Sequence, residues 1–206
     1  MFTHNSSDAV INFKAPAKQP VDKKPAGLWF AQDNAWIEFA RRESITSAMH
    51  DDDMLDDPAS KGSKPWDIRP YHHNLELDMS KILVLDSAEK IYAFNEEFTY
   101  SGTDRQGQMK AMLGQGIDWA KVAQKHDGIF IPEKALAEMP PLEEMPMELL
   151  WVASYDVGSG CVWNKDAIKE CKLCTPEQLA ELGVDNASMA EKVTQRPSQW
   201  STKLGG

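Results

Sequence analysis

Apolar residues in this chain fall in short runs, such as Leu28-Trp29-Phe30-Ala31, Ile82-Leu83-Val84-Leu85 and Ile129-Phe130-Ile131. Between those runs lie segments whose apolar positions recur at helical spacing. Runs this short suit buried strands, and the 3.6-residue spacing suits amphipathic helices, so the alternation predicts an α+β domain. No run approaches the roughly 20 apolar residues that span a bilayer. The length of 206 residues is enough for one sizeable core with tails.

Residues 14–26 hold three prolines and four lysines, which exclude a regular helix or a central strand and predict a loop. That loop leads into a strand, Gly27 to Ala31. Asp33 or Asn34 then caps a helix from Ala35 to about Ala48, with Trp36, Ile37, Phe39 and Ala40 as its buried stripe. The acidic stretch 50–70 reads as a surface loop. Strands are expected over Tyr71–Asp78 and Lys81–Leu85. A helix capped by Ser87 is expected over Ala88–Phe98, with Ile91, Phe94 and Phe98 inward. After a polar segment, Thr99–Gln108, a helix at Asp118–Lys125 ends before Gly128, and the strand Ile129–Ile131 is stopped by Pro132. Two further strands are expected at Leu149–Ala153 and Gly160–Trp163, beyond the proline-bearing loop 137–148. A last helix, Pro176–Leu182, precedes a polar tail.

The net charge of −10 gives the chain no general attraction to nucleic-acid phosphates or anionic lipid. Three cysteines, Cys161, Cys171 and Cys174, are an odd number that argues against a disulfide framework and for a reducing cytoplasm. Cys171 and Cys174 form a lone C-x-x-C. Even with Cys161 this leaves a structural zinc site one ligand short, so no metal is expected. The N-terminus has no positive region followed by an apolar stretch, so no secretory leader is expected.

Three segments taken in order carry a resemblance. They are Phe2-Thr3-His4-Asn5-Ser6-Ser7, Gly27-Leu28-Trp29-Phe30-Ala31 followed by a helix, and Asp127-Gly128-Ile129-Phe130-Ile131-Pro132-Glu133. Together with Tyr71–Leu85, this order resembles the histidine–tyrosine–glutamate branch of the ADP-ribosyltransferase superfamily, in its small bacterial or phage form. The likeness covers about residues 1–165. Asn5 stands where the family has glycine, and Trp29 where it has tyrosine. The Glu-x-Glu pair of arginine-modifying relatives is absent, since Ile131 lies two residues before Glu133.

The resemblance implies an ADP-ribosyltransferase-like split β-sandwich with flanking helices over residues 1–170, and a C-terminal helix and polar tail over 171–206. It implies NAD as substrate, with nicotinamide released and ADP-ribose passed to a macromolecular acceptor, a protein before a nucleic acid. No membrane partner is implied. It assigns NAD binding to His4, Asn5, Ser6, Trp29 and Phe30, and catalysis to Glu133 with His4; Asp127 is the rival carboxylate. The chemistry suits those residue types. An aromatic face attracts a flat cationic nicotinamide, an imidazole hydrogen-bonds a ribose hydroxyl, and a carboxylate stabilises positive charge on the sugar. Read singly, the same residues are ordinary: His4 on the surface, Trp29 in the core, Glu133 exposed. Trp151, Tyr155 and Trp163 are core residues or the wall of an acceptor site. Hydrolysis of NAD and a catalytically degenerate binding protein remain the alternative functions, and a toxin-like role between microbes follows by analogy alone.

Overall fold

A computed structural model describes residues 1–6, 8–50 and 71–184. The acidic stretch from 51 and the tail from 185 lie outside the described residues. The fold is mixed α and β. Its main sheet has seven strands in the order β5-β7-β8-β3-β1-β4-β9. These are β1 Phe2–Ser6, β3 Leu28–Gln32, β4 Tyr71–Leu77, β5 Ile82–Val84, β7 Gly128–Ile131, β8 Ser159–Val162 and β9 Ile168–Leu173. All neighbouring pairs are antiparallel except β5 with β7. A separate two-stranded ribbon pairs β2, Val21–Asp22, with β6, Ile117–Asp118. The helices are α1 Ala35–His50, α2 Ala88–Phe98, α3 Arg105–Met112, α4 Trp119–Val122, α5 Glu133–Ala137 and α6 Pro176–Glu181.

Two apolar layers lie on the two faces of the main sheet. On one face Phe2, Leu28, Phe30, Leu75, Phe130 and Val162 pack together, covered in part by Ile11 and Phe13. On the other, Ile129, Ile131 and Cys161 meet the inner sides of α2 and α4 and three buried aromatics, Trp119, Trp151 and Trp163. Burying a tryptophan costs free energy unless its N–H finds an acceptor. Each of these indoles has one: Trp119 donates to the Asp22 carbonyl at 2.9 Å, Trp151 to Asn95 Oδ1 at 3.0 Å and Trp163 to the His126 carbonyl at 2.8 Å. Trp151 and Trp163 therefore serve the core.

The expected helix at Ala88–Phe98 is present with Ser87 as its cap. The strands at 27–31, 71–78, 81–85, 129–131 and 160–163 appear within a residue or two of their expected bounds. Leu149–Ala153 differs: it forms 3-10 turns, Met147–Leu149 and Val152–Ser154, not a strand. Its apolar run is buried against the layer around Trp119, and burial alone does not distinguish a strand from tight helical turns. The helix expected at Asp118–Lys125 is only one turn long. Elements also appear where none was expected, among them α3, α5, β9 and the β2–β6 ribbon. Asp104 caps α3 by accepting from the Gly107 N–H at 2.7 Å. β9 crosses the boundary at residue 170 and pairs along β4.

Candidate functional site

β1 and β3, which carry the first two segments of the resemblance, separate early. Their ladder holds two pairs, Phe2 with Gln32 and Thr3 with Ala31. On its other edge β1 stays paired with β4 along its whole length. Past Thr3 it is a side chain that reaches β3: His4 Nδ1 lies 2.7 Å from the Trp29 carbonyl oxygen. A carbonyl only accepts, so Nδ1 carries the proton.

Strand alternation separates the two rings. Phe2 packs edge-on against Phe30 and Phe130, with centroids 5.0 and 5.1 Å away, which fixes the side to which β1 turns Phe2 and His4. His4 faces His73 there, centroid to centroid 6.1 Å. Trp29, one residue from Phe30, turns to the opposite side and lies 5.3 Å from the ring of Tyr155. His4 and Trp29 are thus neighbours through the backbone, with rings on opposite faces.

Trp29 is half-buried, and the Lys24 Nζ stands 5.2 Å from its ring centroid. Burial lowers the Lys24 pKa below the usual lysine value, and the charge of Asp156 opposes that shift. The loop that presents Lys24 is held at both ends. Gln19 donates to the Ala26 carbonyl at 2.7 Å and accepts from the Ala26 N–H at 3.0 Å. Between those bonds, Val21–Asp22 pairs with Ile117–Asp118, and Asp22 accepts an ion-paired bond from Lys110 at 2.6 Å.

The remaining assigned residues are distributed as follows. Asn5 Oδ1 accepts from His72 Nδ1 at 2.9 Å, and the Ser6 hydroxyl accepts from the Asp8 N–H at 3.0 Å. Phe30 is fully buried among Phe2 and Phe130. Glu133 is the first residue of α5, and its Oε2 accepts from the Gly158 N–H at 2.6 Å. The Gly158 carbonyl in turn accepts from the Gln32 N–H at 3.1 Å. The carboxylate therefore sits beside the end of β3, three residues from Trp29 and roughly 10 Å along the strand. Asp127 lies at the opposite end of β7, where its Oδ1 accepts from Asn164 Nδ2 at 3.0 Å. The two carboxylates are well apart.

Some features of this region have no sequence signature. The hydroxyls of Tyr155 and Ser159, buried on the Trp29 side, make no hydrogen bond. Lys24 and Gly158 stand out only once loop and strand ends are brought together. A cavity of about 650 Å³ opens beside residues 18–21 of the loop that carries Lys24, lined also by Tyr100, Lys110 and Asp118. It does not include His4, Trp29 or Glu133. The three cysteines belong to three different apolar clusters: Cys161 to that of Trp119, Cys171 to the edge of that of Phe30 and Leu75, and Cys174 to the edge of that of Ile37 and Leu182. Among the described residues no helix is long and apolar enough to cross a membrane. Compared with known proteins, the chain matches no family model, no curated protein and no solved structure.

Proposed function

We propose that the protein binds NAD, releases nicotinamide and transfers ADP-ribose to a macromolecular acceptor, first of all a protein. The observation that carries this reading is Trp29: its half-buried ring holds a cation 5.2 Å from its centroid, and its carbonyl is bonded to His4. A ring that attracts an ammonium in this way suits a cationic nicotinamide equally. His4, with Nδ1 committed to the Trp29 carbonyl, is an imidazole of the kind that hydrogen-bonds a ribose hydroxyl. Glu133, held by the Gly158 N–H, places negative charge at the end of the same strand. NAD supplies the leaving group. The bond from ribose C1′ to the pyridinium nitrogen breaks, and its electron pair stays on neutral nicotinamide. An acceptor nucleophile then bonds to C1′ and gives up its proton. Glu133 opposes the positive charge that builds on the sugar meanwhile. In this reading the parting of β1 from β3 is the cleft of a split ADP-ribosyltransferase-like sandwich, and the protein works in the cytoplasm of a bacterium or an infected host.

The test is nicotinamide release from NAD by purified protein, with and without cell lysate. Release that requires lysate supports transfer, and release without it means hydrolysis. Two observations favour a second reading, a binding protein without turnover: Glu133 is engaged by backbone, and Asn5 by His72. NAD binding without release in either condition selects it.

A further inference from the structure

Two different partners meet the ring of Trp29. Tyr155, itself buried, packs against it with centroids 5.3 Å apart, which closes that side to a ligand. From the loop, the Lys24 Nζ stands 5.2 Å from the ring centroid, inside the roughly 6 Å over which an aromatic face holds a cation. Lys24 makes no ion pair among the described residues. The charge that favours its ammonium is that of Asp156, an exposed residue next in the chain to Tyr155; burial and the charge of Lys23 oppose it. The loop itself is fixed. Gln19 bonds both backbone groups of Ala26, and Pro25 is buried. The Pro20 carbonyl accepts from the Trp119 backbone N–H at 3.2 Å, and the Val21 carbonyl from Lys110 Nζ at 2.9 Å. The cation over Trp29 can therefore leave by rotation of the flexible Lys24 side chain, with the loop in place.

From this geometry we infer that Lys24 is a specificity-determining residue of the Trp29 seat: its ammonium occupies the place of a cationic ring, and such a ring binds only as Lys24 swings aside to Asp156. The inference deepens the NAD reading and rests on its claim that Trp29 takes a pyridinium. The open side of the ring holds one cation, because a second one beside the first is repelled by it. The exposed Asp156 carboxylate offers the displaced ammonium a second place at little cost in desolvation. A ligand therefore enters only when its other contacts offset the displacement of the lysine. NAD brings such contacts through its ribose and pyrophosphate. Free amines and inorganic cations bring none, so the lysine excludes them by its charge.

The probe is 1-methylnicotinamide, the pyridinium without ribose or phosphate. The control is nicotinamide, a neutral ring of nearly the same shape. Affinities are measured by calorimetry on the full chain, on Lys24→Met, which removes the charge and keeps most of the length, and on Lys24→Arg, which keeps the charge. Unchanged thermal unfolding verifies that the variants fold. Lys24→Met is expected to bind 1-methylnicotinamide about tenfold more tightly than wild type, and Lys24→Arg like wild type. Nicotinamide is expected to bind all three alike. Asp156→Asn is expected to weaken 1-methylnicotinamide binding more in the wild type than beside Lys24→Met, because only the wild type has an ammonium to relocate. Equal affinity of wild type and Lys24→Met for 1-methylnicotinamide, absence of saturable binding by both, or an equal gain for nicotinamide overturns the inference. A gain for 1-methylnicotinamide with no NAD binding by either protein keeps the role of Lys24 and removes NAD as the ligand. NAD binding without that gain keeps NAD and removes the role of Lys24.

Discussion

Lowering the pH from 7 to 4 should remove about 3 kcal/mol of stability through one side chain, His72. The residue lies on β4 with 1% of its surface exposed. Burial, and then the neighbouring His73, lower its pKa from the usual 6.5 to about 4. Its Nδ1 is satisfied by Asn5, while Nε2 has no hydrogen-bond partner, so a second proton would be buried unpaired. In the unfolded chain the imidazole takes up a proton near pH 6.5. Because the folded value is the lower one, the unfolded state binds more protons through the interval between them. The contribution is therefore complete above 6.5, falls as the pH falls, and levels off below about 4. A separation of about 2.5 units at 1.36 kcal/mol per unit gives the figure of about 3 kcal/mol. The assay is urea denaturation at half-unit steps between pH 7.5 and 3.5, on wild type and on His72→Asn. Asparagine places an amide nitrogen near the position of Nδ1 and does not titrate. The mutant is less stable at pH 7 because it leaves a void. The quantity that matters is the difference between the two pH slopes, which removes His126 and the carboxylates common to both proteins. Parallel curves through the window would refute the reasoning.

Glu133→Gln should leave NAD affinity nearly intact and lower turnover by about a hundredfold, or about 3 kcal/mol of transition-state stabilisation, in nicotinamide-release kinetics; Asp127→Asn should leave turnover near wild type. Trp29→Ala should weaken NAD binding by about 1–3 kcal/mol in calorimetry, the scale of a lost aromatic and cation contact. Gly158→Ala should destabilise the fold by about 1–3 kcal/mol in denaturant titration, because a Cβ there would lie 2.6 Å from the Glu133 backbone nitrogen. Burial raises the pKa of all three thiols, with Cys161 also fully enclosed. In a thiol titration at pH 7.5, Cys171 and Cys174 should react slowly and Cys161 only on global unfolding.

What the sequence made legible was local. Ser87, three residues before Lys90, with Ile91, Phe94 and Phe98 on one side, describes α2 from cap to end without help from the rest of the chain. Gly128 to Ile131 is apolar at every position and is buried at every position. The misses arose where tertiary contacts override local pattern. Ile168–Leu173 has three charged side chains and no alternation of buried with exposed positions, and forms a strand because β4 offers a free edge. Arg105–Met112 contains Gly107 and shows methionines outward, so its apolar spacing pointed to no core. In Leu149–Ala153 the side chains of Leu149, Trp151 and Val152 are buried and Ala153 is exposed, a pattern that is neither strict alternation nor a helical stripe.

The candidate site shows the same division more sharply. His4, Trp29 and Glu133 are separated by 25 and 104 residues, yet a chain of hydrogen bonds and strand pairing links them: His4 to the Trp29 carbonyl, Trp29 along β3 to Gln32, Gln32 to Gly158, and Gly158 to Glu133. Between the two end side chains, His4 and Glu133, the links run through backbone, and backbone links leave no trace in residue type except at Gly158, where a Cβ would strike the Glu133 backbone. The order of motifs can therefore suggest which residues meet, but not the side to which each ring turns. That depends on strand parity: Trp29 is odd where Phe30 is even, and the phenylalanine is claimed by Phe2 and Phe130. A ligand that uses both His4 and Trp29 must consequently reach them where the β1–β3 ladder has ended, past Thr3 and Ala31, because only there can one molecule touch both sides of the sheet.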